Sequence, residues 1–232
     1  NGAGLEPLSP TRRAVARRMT TSQQIPQFAL SREIDASWLL GEKQRISTGG
    51  DVKVSINDLL VQALAETVVR HSDLALSYVE SDADGELPQY RRQPGVDVGL
   101  AVATPRGLLV PVLRHAHDSP LHELAGERAR LVQAARDGRL TLAEMTGATI
   151  TLSSLAGFGV DSFVAMLNPG ESAILAVGRT VDRVVARGRG LAIVPTLSLT
   201  LTIDHRVVDG ASGGAALAEL ADLLEGGMTW RT

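Results

Sequence analysis

From Leu197 to Asp204 every second residue is apolar: Leu197, Leu199, Leu201 and Ile203 alternate with Ser198, Thr200, Thr202 and Asp204. A period of two gathers the four apolar side chains on one face of a β-strand and scatters them around a helix. The chain must therefore build a sheet with one face against an apolar core. Helical spacing occurs elsewhere. Between residues 55 and 71, Ile56, Leu59, Leu60, Ala63, Leu64, Thr67 and Val68 recur every three or four positions, which predicts a well-buried helix. Leu121, Leu124, Ala125, Arg128 and Leu131 predict a second, ended by Asp137-Gly138, and Ala216, Leu217, Leu220, Leu223 and Leu224 a third at the C-terminus. Ser9-Pro10 suits the cap and first turn of a basic amphipathic helix reaching Met19.

Further strands are predicted at residues 28–35, 96–102, 108–113, 149–154, 172–177 and 181–185. The first leads to a short helix over residues 37–45 that Gly49-Gly50 ends, and a turn falls at residues 83–86. Thr104-Pro105-Arg106-Gly107 joins the second and third strands as a hairpin, and residues 149–154 run into a glycine-bearing loop at 156–159. Strands interspersed with helices and joined in part by hairpins define a mixed α/β sheet with packed helices.

At 232 residues, 44% hydrophobic and 21% charged, the chain is long enough for one α/β domain with a substantial core. Its 23 basic and 26 acidic residues supply no positive field, so nucleic acid is not an expected partner. No stretch approaches the roughly 20 apolar residues that cross a bilayer, and the start lacks a signal-peptide core; neither a membrane nor export is expected. The absence of cysteine excludes disulfides, thiolate nucleophiles and cysteine-ligated metals. His115 and His117 have no spaced partner to complete a metal site and read as loop histidines. A start at Asn1 is expected of a domain cut from a longer chain or processed from one.

The alternating run ends in His205-Arg206-Val207-Val208-Asp209-Gly210. Continued by one step, the alternation places His205 on the apolar face, where burial disfavours the charged imidazole and leaves a proton acceptor. That imidazole is either a core histidine satisfied by a hydrogen bond or a general base, and the company of Asp209 and Gly210 favours the base. Asp209 either orients the imidazole or holds the loop through an ion pair with Lys43 or Arg45. The structural role is preferred, because Asp-Gly suits a tight turn in which glycine takes a positive φ. Ser153, near the end of its strand, reads on its own as a hydroxyl capping a turn, as does Ser154.

Four stretches then resemble one family: residues 8–22 with 26–40; Val54-Ser55-Ile56-Asn57-Asp58-Leu59; residues 98–111; and residues 149–178 with 204–210. Together they resemble the catalytic domain of the dihydrolipoamide acyltransferases, the E2 components of 2-oxo acid dehydrogenase complexes. Chloramphenicol acetyltransferase and peptide-synthetase condensation domains share the histidine and Asp-Gly, but place a second histidine where this chain has Asp204. The resemblance implies a chloramphenicol-acetyltransferase-like fold over residues 8–232, with residues 1–7 as linker remnant. It also implies a homotrimer with active sites between subunits, assembling further into a cubic or dodecahedral core.

The implied reaction moves an acyl group between the thiols of coenzyme A and dihydrolipoamide. In it His205 is the base, Ser153 the oxyanion donor and Asp209 a third site residue, and no metal takes part. Coenzyme A is a substrate, the lipoyl group sits on an upstream domain, and E1 and E3 dehydrogenase components are partners, in bacterial cytoplasm or the mitochondrial matrix. Ser153 and Ala211 suit acetyl or branched-chain rather than succinyl members, and residues 157–160 with Asn168-Pro169 lean toward the pyruvate type. Residues 71–76 lack the family's usual proline and asparagine, and Gly170 stands where a second proline is frequent. The tail at 225–232 departs from the apolar tail that knits trimers, although Met228 and Trp230 suit that role. The alternatives are a free-standing acetyltransferase of the chloramphenicol type, against which Asp204 and the helix at 9–19 count, and an inactive scaffold core, against which His205, Ser153 and Asp209 together count.

Overall fold

A computed structural model describes residues 4–47, 53–80 and 87–232. In chain order the elements are α1 (Pro10–Gln23), β1 (Gln27–Asp35), α2 (Ser37–Ser47), α3 (Ile56–Arg70), β2 (Leu76–Val79), β3 (Gln89–Arg92), β4 (Val98–Leu100), β5 (Val102–Thr104), β6 (Gly107–Leu109), β7 (Val112–Leu113), α4 (Leu121–Asp137), β8 (Ile150–Ser154), β9 (Ala173–Arg187), β10 (Gly190–Asp204) and α5 (Gly210–Asp222). The Gly49-Gly50 break and the turn at 83–86 lie outside the described residues.

The main sheet has the order β1-β10-β9-β8-β4-β7. It is mixed as expected: β8 is parallel to β4 and β9, and the other pairings are antiparallel. The hairpin predicted around Gly107 forms in two steps, with Val98 opposite Leu113 and, past a break at Ala101, Val102 opposite Leu109. Ser9 caps α1 by accepting from Arg12 N–H, and Gly138 ends α4 in the left-handed region with φ of 68°.

Leu197, Leu199, Leu201 and Ile203 all enter the main core, where they meet α3, α4 and α5 through residues such as Leu60, Leu131 and Leu220. The polar partners in the alternation are not left in water: Thr200, Thr202 and Asp204 are only 3, 1 and 2% exposed. A second apolar cluster explains this, because Ile25, Ala165 and Leu167 lie over Ile174 and Ala176 on the opposite face of the sheet, and these two pair with Thr202 and Thr200. Strand β10 is thus covered on both faces near its end.

Residues 172–177 and 181–185, expected as two strands, are one 15-residue strand, and β10 is equally long. Beyond Asp35, where β1 ends opposite Thr196, the two continue as a two-stranded ribbon. Pro195 stands at that boundary, where its carbonyl accepts from Ala36 N–H, consistent with proline's confinement to edges. Gly178 marks a close approach within β9: a Cβ there would lie 1.8 Å from the Asp161 carbonyl oxygen.

Glu171, just before β9, is 7% exposed and its Oε2 has no hydrogen-bond partner. Burial pushes its carboxyl up to about 7 from an ordinary 4.5, against the smaller opposing effects of Thr151, Arg18 and Asn168. Folding takes up a proton between those two values, so stability is full below about 4.5 and declines as the pH rises through about 7. Replacing Glu171 with glutamine removes the decline. In urea titrations Glu171→Gln should match the parent near pH 5 and exceed it at pH 8 by on the order of 3 kcal/mol; an unchanged pH dependence would refute this account of the buried carboxyl.

Candidate active site

His205 is not on the buried face. Strand β10 stops at Asp204, and the chain turns there because the N–H groups of Val207 and Val208 both donate to the Asp204 carbonyl. The alternation ends with the strand, and the imidazole emerges exposed within the single chain, which corrects the expectation of an apolar setting. Its backbone N–H donates to the Pro26 carbonyl at 2.9 Å. The Phe28 ring meets the imidazole edge to face, with centroids 5.3 Å apart.

The turn is fixed by the flanking residues. Asp204 is buried and takes a bidentate grip from Arg206, at 2.9 Å from Nε and 2.7 Å from Nη2. The same guanidinium lies 4.0 Å above the Tyr78 ring, and Tyr90 Oη donates to the Arg206 carbonyl at 2.8 Å. Phe28, Tyr78 and Tyr90 were missed in the sequence because single aromatics on distant strands carry no local pattern.

Asp209 is the N-cap of α5: its Oδ1 accepts from Ser212 N–H at 2.7 Å. That hydrogen bond is the largest of several effects holding its carboxyl below the ordinary range, and the nearby charge of His205 adds a lesser one. The structural role is therefore helix capping, and Arg45 is held by Glu42 at 2.7 Å. Gly210 does not take a positive φ. It opens α5 where a Cβ would come within 3.3 Å of the Phe28 ring, so its role is clearance.

Ser153 is half-buried on β8, on the sheet face that carries Thr151. Of the two serines it is Ser154 that turns to the loop, accepting from Ala156 N–H at 3.4 Å. One chain does not bring Ser153 and His205 together. Ser153 pairs with Ala176, which pairs with Thr200; His205 lies two strands across and five residues further along, about 19 Å away at standard sheet spacings.

Met228 and Trp230, considered as trimer contacts, are buried in their own chain instead. Trp230 stacks on Trp38 with centroids 5.6 Å apart, and Arg231 N–H donates to Gln62. His115 and His117 lie in the turn after β7, with His117 Nε2 2.8 Å from Asp118, and among the described residues no cluster of three or more histidines and carboxylates could hold a metal. No helix among them is long and apolar enough to cross a membrane. Lys43 and Lys53 line a cleft of about 570 Å³ together with Arg128, whose guanidinium is held by the buried Asp58 at 2.6 Å.

The family of 2-oxoacid dehydrogenase acyltransferase catalytic domains matches residues 3–230, and the chain belongs to it. Its relatives include a mitochondrial dihydrolipoyllysine-residue acetyltransferase component of the pyruvate dehydrogenase complex from Caenorhabditis elegans, 36% identical over 94% of this chain and 44% of that protein. The counterpart from Rickettsia bellii is 33% identical over 95% of this chain and 52% of that protein. The chain spans about half the length of the curated relatives it matches. Among solved structures, one from an investigation of the role of a serine, a histidine and an asparagine in the mechanism of Azotobacter vinelandii dihydrolipoamide acetyltransferase superposes with a TM-score of 0.89 at 29% identity, covering 97% of this chain and 92% of that one. The cubic core of a pyruvate dehydrogenase complex gives the same TM-score at 30% identity and the same coverage. Chloramphenicol acetyltransferase, at 14% identity and a TM-score of 0.56 over 94% of this chain and 96% of that one, shares the fold.

Because an Asn side chain can cap a helix as Asp does, the capping role predicts that Asp209→Asn keeps the parent's melting temperature while Asp209→Ala melts earlier. Equal melting of all three would remove that role, and lost acyl transfer in an Asp209→Asn protein of normal stability would assign Asp209 to orienting His205.

Proposed function

We propose that this chain is the acyl-transferring core of a 2-oxo acid dehydrogenase complex, moving an acetyl group between the thiols of dihydrolipoamide and coenzyme A, with His205 from one chain and Ser153 from another completing each site. The observation that carries this reading is the strand register, which keeps the two side chains apart within one chain. Residues 8–232 are taken as the catalytic domain, and a trimer is the smallest ring in which every subunit lends its histidine to a neighbour and receives one in a head-to-tail contact beyond a two-fold dimer. Larger cores, E1 and E3 partners and a cytoplasmic or matrix address follow from the same reading.

A thiol is mostly protonated at neutral pH and attacks poorly until a base takes its proton. His205 accepts that proton as the thiol sulfur bonds to the thioester carbonyl carbon. The carbonyl oxygen becomes an oxyanion, to which the Ser153 hydroxyl donates. Collapse restores the carbonyl, breaks the original carbon–sulfur bond, and returns the proton from the imidazolium to the departing thiolate. The Asp204–Arg206 pair and the Phe28 contact keep the imidazole in place without touching the reacting atoms.

Residue spacing supports the assignment. The serine and histidine of the Azotobacter enzyme stand 52 positions apart and its asparagine four beyond the histidine; Ser153 and His205 are also 52 apart, with Asp209 four further on. The names of the relatives favour acetyl over a branched-chain acyl group. The cleft beside Lys43 and Lys53 is the candidate seat for the phosphates of coenzyme A.

Acetyl, isobutyryl, isovaleryl and succinyl transfer from the CoA esters to free dihydrolipoamide tests the reading. Acetyl should be preferred, His205→Ala should abolish transfer, and Ser153→Ala should lower kcat by about 10² to 10³. Co-refolding the two inactive variants should restore part of the activity, since some mixed interfaces then hold both side chains. No transfer from any ester by a trimeric protein would leave the scaffold alternative, and a preference for isobutyryl or isovaleryl would make the chain a branched-chain member.

A further inference from the structure

Helix α1 is fastened at its C-terminal end. Ser22, its one buried residue, donates its hydroxyl to the Leu167 carbonyl at 2.6 Å, and Gln27 Nε2 donates to the Ser22 carbonyl. Its earlier turns stand over a cleft of about 400 Å³ walled by apolar residues that include Val15, Leu109, Val112 and Met145, a volume within the range of small-molecule sites. Two charged side chains line it, Glu171 and Arg18. Glu171 is the buried carboxyl whose Oε2 has no partner. Arg18 is exposed on α1, makes no ion pair among the described residues, and is near enough for its charge to act on Glu171.

Thr151 and Asn168 serve one side of the Glu171 carboxyl, and the buried Oε2 left without a donor is costly. The chemistry that satisfies both ends is a compact zwitterion: an ammonium for the carboxylate, a carboxylate for the guanidinium, and an aliphatic body for the walls. We propose that the cleft beneath α1 binds a free aliphatic α-amino acid of the leucine or valine type, its ammonium on Glu171 and its carboxylate on Arg18. The site lies on the sheet face that bears Thr151 and Ser153 but shares no residue with the acyl-transfer machinery, so it stands or falls independently of that reading.

The ammonium requires an ionised Glu171. Since that carboxyl titrates near 7 and Arg18 is the one other charged group lining the cleft among the described residues, affinity should rise as the pH passes from 6 to 8.

Calorimetric titration of the assembled protein separates the contributions of the two head groups. L-Leucine is the first probe, with isoamylamine, which lacks the carboxylate, and 4-methylpentanoate, which lacks the ammonium. L-Leucine should bind at pH 8 with a Kd on the order of 1 mM or below, and each truncated probe about 10- to 100-fold more weakly. Arg18→Ala, a surface change that leaves the core intact, should erase the preference for leucine over isoamylamine; Glu171→Gln should erase both the preference over 4-methylpentanoate and the pH dependence. Absence of leucine binding by the folded parent overturns the proposal, as does binding that neither variant weakens. Isoamylamine binding as tightly as leucine also overturns it and makes the cleft an amine site. A cleft already filled by a neighbouring subunit in the assembled core would show no heat with any probe, and is the same refutation.

Discussion

The buried ion pair between Asp204 and Arg206 is the contact on which the candidate active site depends. Asp204 sits where β10 stops, inside the sheet, and a carboxylate there is tolerated only if its oxygens are filled. Arg206 fills them from two residues away, which forces the chain to fold back on itself between them. His205 is the residue in the middle of that fold-back, so the pair that neutralises the buried charge also throws the imidazole outward. Tyr78 beneath the guanidinium, Tyr90 on the Arg206 carbonyl and Phe28 against the imidazole then fix the loop from three other strands. Removing the Arg206 charge would leave Asp204 buried and unpaired, and the loop would lose its shape together with its stability.

The sheet register decides how such a loop can be used. Within one chain His205 lies away from Ser153, because β9 lies between their strands and the two residues sit at different heights. Twisting a sheet of this size does not close a gap of about 19 Å, which is several times a hydrogen-bond length. In the proposed reaction, a base and an oxyanion donor so placed cooperate only across an interface. An exposed histidine in the single chain is what an intersubunit site requires, and the desolvation expected from the sequence would then be supplied by the neighbour.

The periodicities were legible because they report local geometry. Helices α3, α4 and α5 and the strand near 200 followed from spacing, α1 from its Ser9-Pro10 start, and the family resemblance led to the same fold. What was not legible depended on distant residues. The polar half of the 197–204 alternation looked solvated, yet Ile25 and Leu167 cover it from more than 30 positions away. Residues 172–177 and 181–185 were expected as two strands, yet they form one long strand joined to β10 by a two-residue turn at Gly188-Arg189. Asp209 was read as holding a tight turn or an ion pair, and its partner is the N–H of Ser212, a capping contact hidden by the glycine-rich start of α5.

One division runs through these cases. The apolar face of the sheet, carrying Leu152, Leu175, Leu199 and Leu201, packs under the helices and leaves no room for polar groups. The opposite face carries Thr151, Ser153, Thr200 and Thr202, with Asn168 reaching Thr151 and Glu171 close by. Two of the four buried side-chain atoms without a partner among the described residues, Thr202 Oγ1 and Glu171 Oε2, lie there; the others, His117 Nδ1 and Trp230 Nε1, lie elsewhere. A sheet that concentrates stability on one face can carry incomplete polar chemistry on the other. Ser153, the proposed oxyanion donor, and the buried carboxyl of Glu171 thus share the face on which a neighbouring chain and a ligand are proposed to act.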